Sequence, residues 1–246
     1  MPEISESKYL VQAGWDDVPH LDEDTKRKLL ASALPHTRDA RTKGIPSLGS
    51  GAIYPIPESE IIADPFQIPS YYRRVYGMDV GWNRTAVVWG ALDPGDDVLY
   101  LHTEHYRGHA EPSIHAQAIK ARGAWIPGVI DPASRGRQQA DGKVLLQNYR
   151  DLGLDLQPAV NSVESGLYDV YDRLSTMRLR IFSTMKSWLA EYRLYRRDET
   201  GKVVKEHDHL MDATRYLVVS GIEIARTKPS KARTAMPSML DQRAGY

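Results

Sequence analysis

Arg73-Arg-Val-Tyr-Gly-Met-Asp-Val-Gly-Trp-Asn-Arg-Thr-Ala-Val-Val-Trp-Gly-Ala-Leu92 is the stretch whose reading decides the architecture. Val75 to Val80 is a short apolar strand that runs into Asp79-Val-Gly-Trp82, Asn83-Arg84 is a turn, and Thr85 to Leu92 is a second, β-branched strand. The two make a hairpin. Asp93-Pro-Gly-Asp-Asp97 is another turn, and Val98 to Tyr106 alternates as a third strand, which completes an antiparallel meander.

Downstream, the pattern changes to strand-helix alternation. Pro112 fits the first turn of a helix running to about Arg122, and Trp125 to Ile130 is an apolar strand that stops at Asp131-Pro132. Leu145, Asn148, Tyr149 and Leu152 mark a helix face, and Leu154 to Ala159 reads as a fifth strand. Val163, Leu167, Val170, Leu174 and Met177 recur at helical spacing, Leu179 to Phe182 is a short strand, and Met185, Trp188, Leu189 and Tyr192 form another helix face. Asp198-Glu-Thr-Gly201 is a hairpin-type turn between basic strands, and one long helix is expected over Asp208 to Ile224. A meander followed by strand-helix units predicts an α/β fold, a mixed sheet with helices on both faces.

Upstream, residues 1–70 show one short amphipathic helix at Asp22 to Leu34 and then a turn-rich run with Pro55, Pro57, Pro65 and Pro69. That density of proline suits a linker or extended arm better than a sheet interior. Residues 227–246 carry Pro229, Pro237 and scattered bases and read as a flexible tail.

Composition removes several function classes. The chain has no cysteine, so disulfides, thiol catalysis and cysteine-based metal sites are excluded, and any metal must sit on oxygen or imidazole. No apolar run approaches the length of a membrane span, and the N-terminus shows no secretory pattern, so a cytoplasmic protein is expected. Lys plus Arg (32) balance Asp plus Glu (32), but unevenly along the chain. Met1 to Ser70 holds eleven acids and seven bases, whereas Arg178 to Lys205 holds eight bases and three acids.

Three aspartates sit at the ends of apolar elements: Asp79, Asp131 in Gly128-Val-Ile-Asp-Pro132, and Asp212 in Asp208-His-Leu-Met-Asp-Ala-Thr-Arg-Tyr216. An isolated carboxylate there is costly, so convergence on a metal is the economical explanation. Asp79 and Asp131 fall near the carboxyl ends of two strands expected to be neighbours, where open sheets bind their ligands. Oxygen-only donors suit Mg²⁺ or Mn²⁺, and two such ions could clamp a phosphodiester. Asp208 lies one helical turn before Asp212 and reads either as the helix N-cap, as a group supporting the ligands, or as a fourth ligand.

Arg135, Arg137 and Lys143 follow Asp131. Lys186, Arg193, Arg196, Arg197, Lys202 and Lys205 lie between the second and third acids, where a phosphate backbone would pass. No base-reading motif is present, so weak sequence preference is expected. A histidine metal site is not expected, because His207 and His209 flank Asp208 and should point to different sides. The five tryptophans read as packing residues, with Trp82 alone left open because it adjoins Asp79.

Arg74-Val-Tyr-Gly-Met-Asp-Val-Gly-Trp-Asn-Arg-Thr-Ala86, Val129-Ile-Asp-Pro-Ala-Ser134 and Lys205-Glu-His-Asp-His-Leu-Met-Asp-Ala-Thr-Arg-Tyr-Leu217 resemble, in order and spacing, the motifs of the nuclease half of tailed-phage terminase large subunits. The resemblance covers roughly residues 70–225. It implies a ribonuclease H-like nuclease domain over residues 71–226, metal-binding acids at Asp79, Asp131 and Asp212, and cutting of concatemeric double-stranded DNA during genome packaging in the host cytoplasm. The partners it implies are the terminase ATPase half, the small terminase subunit and the portal.

Gly14-Trp-Asp-Asp-Val-Pro-His-Leu21 and Ala40-Arg-Thr-Lys-Gly-Ile-Pro46 resemble the end of the ATPase half. The nearest string to a phosphate-binding loop, Gly136 to Lys143, has one residue too many and is followed by Val144 where Ser or Thr should hold magnesium. No motor activity is expected of this chain. Two other readings share its acids: a junction resolvase or transposase, and a DNA- or portal-binding module that does not cut.

Overall fold

The computed structural model describes residues 14–18, 20–32, 42, 51–135, 145–198 and 200–229. Its principal elements in chain order are α1 (Glu23–Ser32), α2 (Glu58–Ile61), β1 (Ile62–Ala63), β2 (Arg73–Asp79), β3 (Thr85–Asp93), β4 (Val98–Arg107), α3 (Pro112–Gly123), β5 (Gly128–Ile130), α4 (Leu145–Asp151), β6 (Leu156–Pro158), α5 (Val163–Ser175), β7 (Leu179–Phe182), α6 (Lys186–Leu194) and α7 (His209–Tyr216). Among the described residues the strands form one seven-stranded sheet in the order β1-β7-β4-β3-β2-β5-β6. The meander β2-β3-β4 is antiparallel, and every other pairing is parallel. This is the expected mixed sheet.

Side-chain alternation sorts the core onto two faces. Ala86, Val88 and Leu92 of β3 join Leu99 and Leu101 of β4 beneath α5, α6 and α7, while Val87 and Trp89 join Tyr76 and Met78 of β2 beneath α3 and α4. Helices therefore cover both faces, and a side chain's parity along its strand decides which helix layer it meets.

Two strands are shorter than their apolar runs suggest. Pro127 has no amide proton for the ladder, so the run from Trp125 enters the sheet only at Gly128, and the Pro127 carbonyl accepts the Tyr76 amide at 3.1 Å instead. Leu154 is spent on ending α4: its amide bonds the Tyr149 carbonyl at 3.1 Å after a left-handed Gly153. The long final helix also differs from expectation. After Tyr216 it widens into a π-helical turn, Leu217–Gly221, and ends in a short α turn, Ile222–Ile224. The basic hairpin near Asp198 shrinks to a single bridge between Arg197 and Val203.

The proline-rich part of the expected arm is packed onto the domain. Tyr54 and Ile61 are buried in the main core, β1 pairs with β7 at the sheet edge, and the Tyr192 hydroxyl donates to the Ile56 carbonyl at 2.8 Å. Prolines are tolerated because only two residues, at an edge, join the ladder. The rest of the expected arm, up to residue 50, is largely outside the described residues, as is the tail from residue 230.

Candidate active site

Gly77 and Asp79 have the same parity on β2, and both face the layer that contains α7. A β-carbon on Gly77 would lie 2.1 Å from the Ala213 carbonyl oxygen and 2.9 Å from the Leu217 β-carbon. Only glycine lets the helix come this close. The approach sets the start of α7 beside the end of β2, where His209 Nδ1 and Asp79 Oδ2 are 2.9 Å apart.

Asp131 reaches the same place from β5. Its amide continues the parallel ladder by donating to the Met78 carbonyl at 3.0 Å, and its Oδ1 accepts the Ala133 amide at 3.0 Å and the Tyr216 hydroxyl at 3.2 Å. Asp212 is buried on α7. Its Oδ2 accepts Lys205 Nζ at 3.0 Å, and its Oδ1 accepts Arg215 Nη2 at 3.0 Å.

The carboxyl group of Asp79 titrates above the usual range. Burial is the main cause; the hydrogen bond from His209 opposes it, and the negative charges of Asp212 and Asp131 add to it. Asp79 therefore lies within electrostatic reach of the other two acids. The bond to Asp79 outweighs burial at His209 and raises the imidazole's pKa. Partial burial works against the charge on Lys205, but Asp212 and Asp208 overcome it and the net shift is upward.

Among the described residues, no three His, Asp or Glu side chains converge as a ready-made ligand set. The donor chemistry nevertheless suits a hard divalent ion. Three carboxylates approach from two adjacent parallel strands and one helix, and burial disfavours the charge on at least one of them.

Asp208 is the N-cap residue of α7 by position, but its carboxylate makes no capping hydrogen bond; it pairs with Lys205 at 3.1 Å. The helix-start amide is taken by Glu191 of α6, whose Oε2 accepts the Leu210 amide at 2.6 Å while its Oε1 accepts the Tyr106 hydroxyl at 2.5 Å. Glu191 is 3% exposed, and burial holds its pKa up. Sequence reading missed it, although the signal is visible: an acid between Leu189 and Tyr192 on an apolar helix face. Glu191→Ala leaves the buried Leu210 amide unpaired, a cost of about 1–3 kcal/mol, and takes the partner of the part-buried Tyr106 hydroxyl as well. A clear fall in Tm by calorimetry is expected, and an unchanged Tm would show that Glu191 does not anchor α7.

The expected basic residues are spread among different tasks. Lys205 lies on the acids themselves. Arg197 is held by Glu164 at 2.7 Å, and Arg193 by Glu58 at 2.6 Å. Lys186 and Lys202 are exposed, and Arg196 is half-buried in a bridge to Ala52. Arg135 closes a 3-10 turn, Pro132–Arg135, just after Asp131. Arg137 and Lys143 lie outside the described residues. Of the histidines, His209 touches an acid of the site, whereas His105 and His115 pair with each other at 2.9 Å away from it. The missed signal for His209 was its spacing of three from Asp212, which places both on one helix face.

A family profile described as the terminase RNaseH-like domain matches residues 76–220. The large terminase subunits of Enterobacteria phage LP7 and Salmonella phage P22 are each 33% identical to the chain over 223 residues, covering 86% of it. The matches take in 46% and 44% of those proteins, so the chain spans less than half the length of the curated relatives it matches. The solved nuclease domain of the P22 large terminase superimposes with a TM-score of 0.67 at 32% identity, covering 73% of this chain and 96% of that one. The large terminase nuclease of thermophilic phage G20c, solved with bound cobalt, shares the fold at a TM-score of 0.52 and 16% identity, covering 70% of this chain and 98% of that one.

Proposed function

The chain belongs to the RNase H-like nuclease domain family of terminase large subunits, and from that premise we propose that it is a metal-dependent endonuclease that cuts concatemeric double-stranded DNA during phage genome packaging. The observation that carries this reading is the placement of Asp79 and Asp131 at the ends of paired parallel strands with Asp212 on the helix packed beside them, near enough that the charges of Asp131 and Asp212 help hold the Asp79 carboxyl above its ordinary pKa.

In this reading Asp79, Asp131 and Asp212 hold two Mg²⁺ or Mn²⁺ ions, and Asp208 stands beside them through Lys205. The metal-bearing nuclease of phage G20c supports a divalent ion in this fold. Bound there, the ions supply Lewis-acid polarisation of the phosphodiester and a more acidic attacking water. The chain's own groups supply orientation. His209 fixes one oxygen of Asp79, Tyr216 and the Ala133 amide fix one of Asp131, and Arg215 fixes one of Asp212. Lys205 bridges Asp208 and Asp212 and offers a positive charge that a phosphate can share. Exposed Lys186 and Lys202 are free to meet phosphates of the DNA backbone.

The ATPase half, the small terminase subunit and the portal are the proposed partners, and the host cytoplasm the proposed compartment. Incubating supercoiled plasmid with the protein provides the test. Nicked and linear products are expected with Mn²⁺ or Mg²⁺ and none with EDTA. Undiminished cutting in EDTA would overturn the metal mechanism. No cutting with any divalent ion would leave a module that binds without cleaving.

A further inference from the structure

We propose that Trp82 is a DNA-positioning residue, its exposed indole packing on the sugar and base edge of the strand whose phosphate lies at the acids. The proposal rests on the nuclease reading above. Of the five tryptophans, Trp89 and Trp188 are buried and Trp15 and Trp125 partly so, but Trp82 is 64% exposed. It sits on the β2–β3 turn, three residues beyond Asp79. Three trans peptides span at most about 11 Å between α-carbons, roughly three base-pair rises along a strand. A duplex with a phosphate at Asp79 therefore passes within reach of the indole.

The turn that presents Trp82 is held in place. Its carbonyl accepts the His109 amide at 2.9 Å, and its ring meets the His109 ring edge-on at 5.9 Å. A β-carbon on Gly108 would lie 2.0 Å from the Asn83 carbonyl oxygen, so the turns at 80–84 and 107–110 run in direct contact. The Thr85 hydroxyl donates to the Gly81 carbonyl at 3.1 Å, and the Arg84 guanidinium lies over the Tyr106 ring at 4.5 Å. An aromatic presented on such a support loses little conformational freedom when it binds.

The surroundings favour nucleic acid as the occupant. The two turns carry Arg84, Arg107 and His109 and contain no carboxylate of their own. A flat aromatic face beside two arginines packs on the sugar and base edge of a duplex whatever its sequence, which agrees with a nuclease of weak sequence preference.

Trp82→Ala and Trp82→Phe, made in the whole chain, provide the test. Trp82→Ala is expected to raise KM for a duplex substrate, and Kd for the same duplex measured by anisotropy in EDTA, about tenfold. kcat should stay within about twofold and Tm should not move, while Trp82→Phe restores most of the affinity. Duplex DNA should quench the tryptophan emission of the parent protein and not that of Trp82→Phe. Unchanged KM and Kd in Trp82→Ala, or equal quenching in parent and Trp82→Phe, would overturn the proposal. If the parent protein fails to cut plasmid with Mn²⁺, the nuclease reading falls. The anisotropy and emission measurements then still decide whether Trp82 meets DNA.

Discussion

Asp79→Asn and Asp131→Asn are each expected to abolish plasmid cutting at unchanged Tm, because each keeps the side chain's shape and removes the charge that a divalent ion needs. In the folded chain both carboxylates accept hydrogen bonds, from His209 and from Tyr216 and Ala133, and an amide oxygen can still accept them. Asp212→Asn should be equally inactive but less stable. Arg215, 1% exposed, has Asp212 as its ion-pair partner, and losing that charge from a buried pair costs on the order of 1–3 kcal/mol even with one hydrogen bond retained.

Asp208→Asn is the informative comparison. Since its carboxylate does not cap α7, the substitution removes one of two acids on Lys205, and cutting should fall roughly 10- to 100-fold if that contact supports the site. Plasmid-cleavage rates for the four variants, with melting curves alongside, check the set. Activity in Asp212→Asn would remove it from the proposed ligands.

Gly77→Ala is expected to do comparable damage without touching a charged group. The added carbon would sit 2.1 Å from the Ala213 carbonyl oxygen, and backbone cannot swing aside as a side-chain tip can. Helix α7 must retreat from β2. Overpacking of this kind costs about 1–3 kcal/mol or more. The retreat also separates Asp79 from His209 and Asp212, and a displacement of about 1 Å in such a site can lower the rate by about 100-fold. Tm and cleavage rate should therefore fall together. A variant with parental Tm and rate would show that close β2–α7 packing does not position the acids.

How far the sequence could be read depended on whether local chemistry or a distant neighbour set each feature. The meander was legible because β-branched alternation and two turn clusters lie within consecutive residues, and Thr85–Asp93 forms close to where its pattern places it. The placement of Asp79 and Asp131 on neighbouring parallel strands followed from the order of elements, and the pairing of Met78 with Ile130 agrees. The strand begins at Gly128 and not at Trp125 because Pro127 has no amide proton for the ladder, a constraint that is local to the sequence.

Other features could not be read from spacing at all. Glu191 and Leu210 are 19 residues apart, and His209 and Asp79 are 130 apart. Nothing periodic links such pairs.

The sequence by itself determined the mixed sheet, the strands that end in acids, and the exclusion of thiolate donors in a chain without cysteine, since each follows from side-chain periodicity or residue type along a short run. The tertiary structure alone decided which groups hold those acids. Lys205 and Arg215 rest on Asp212, His209 rests on Asp79, and the helix-start amide that Asp208 leaves uncapped is capped by Glu191. It also decided that part of the proline-rich segment before β2 packs as the sheet's edge and not as a free arm. The physical reason is the same in each case. A buried charge or an unpaired edge takes whichever partner the packed helices and strands bring within about 3 Å, and that proximity is a property of the closed fold.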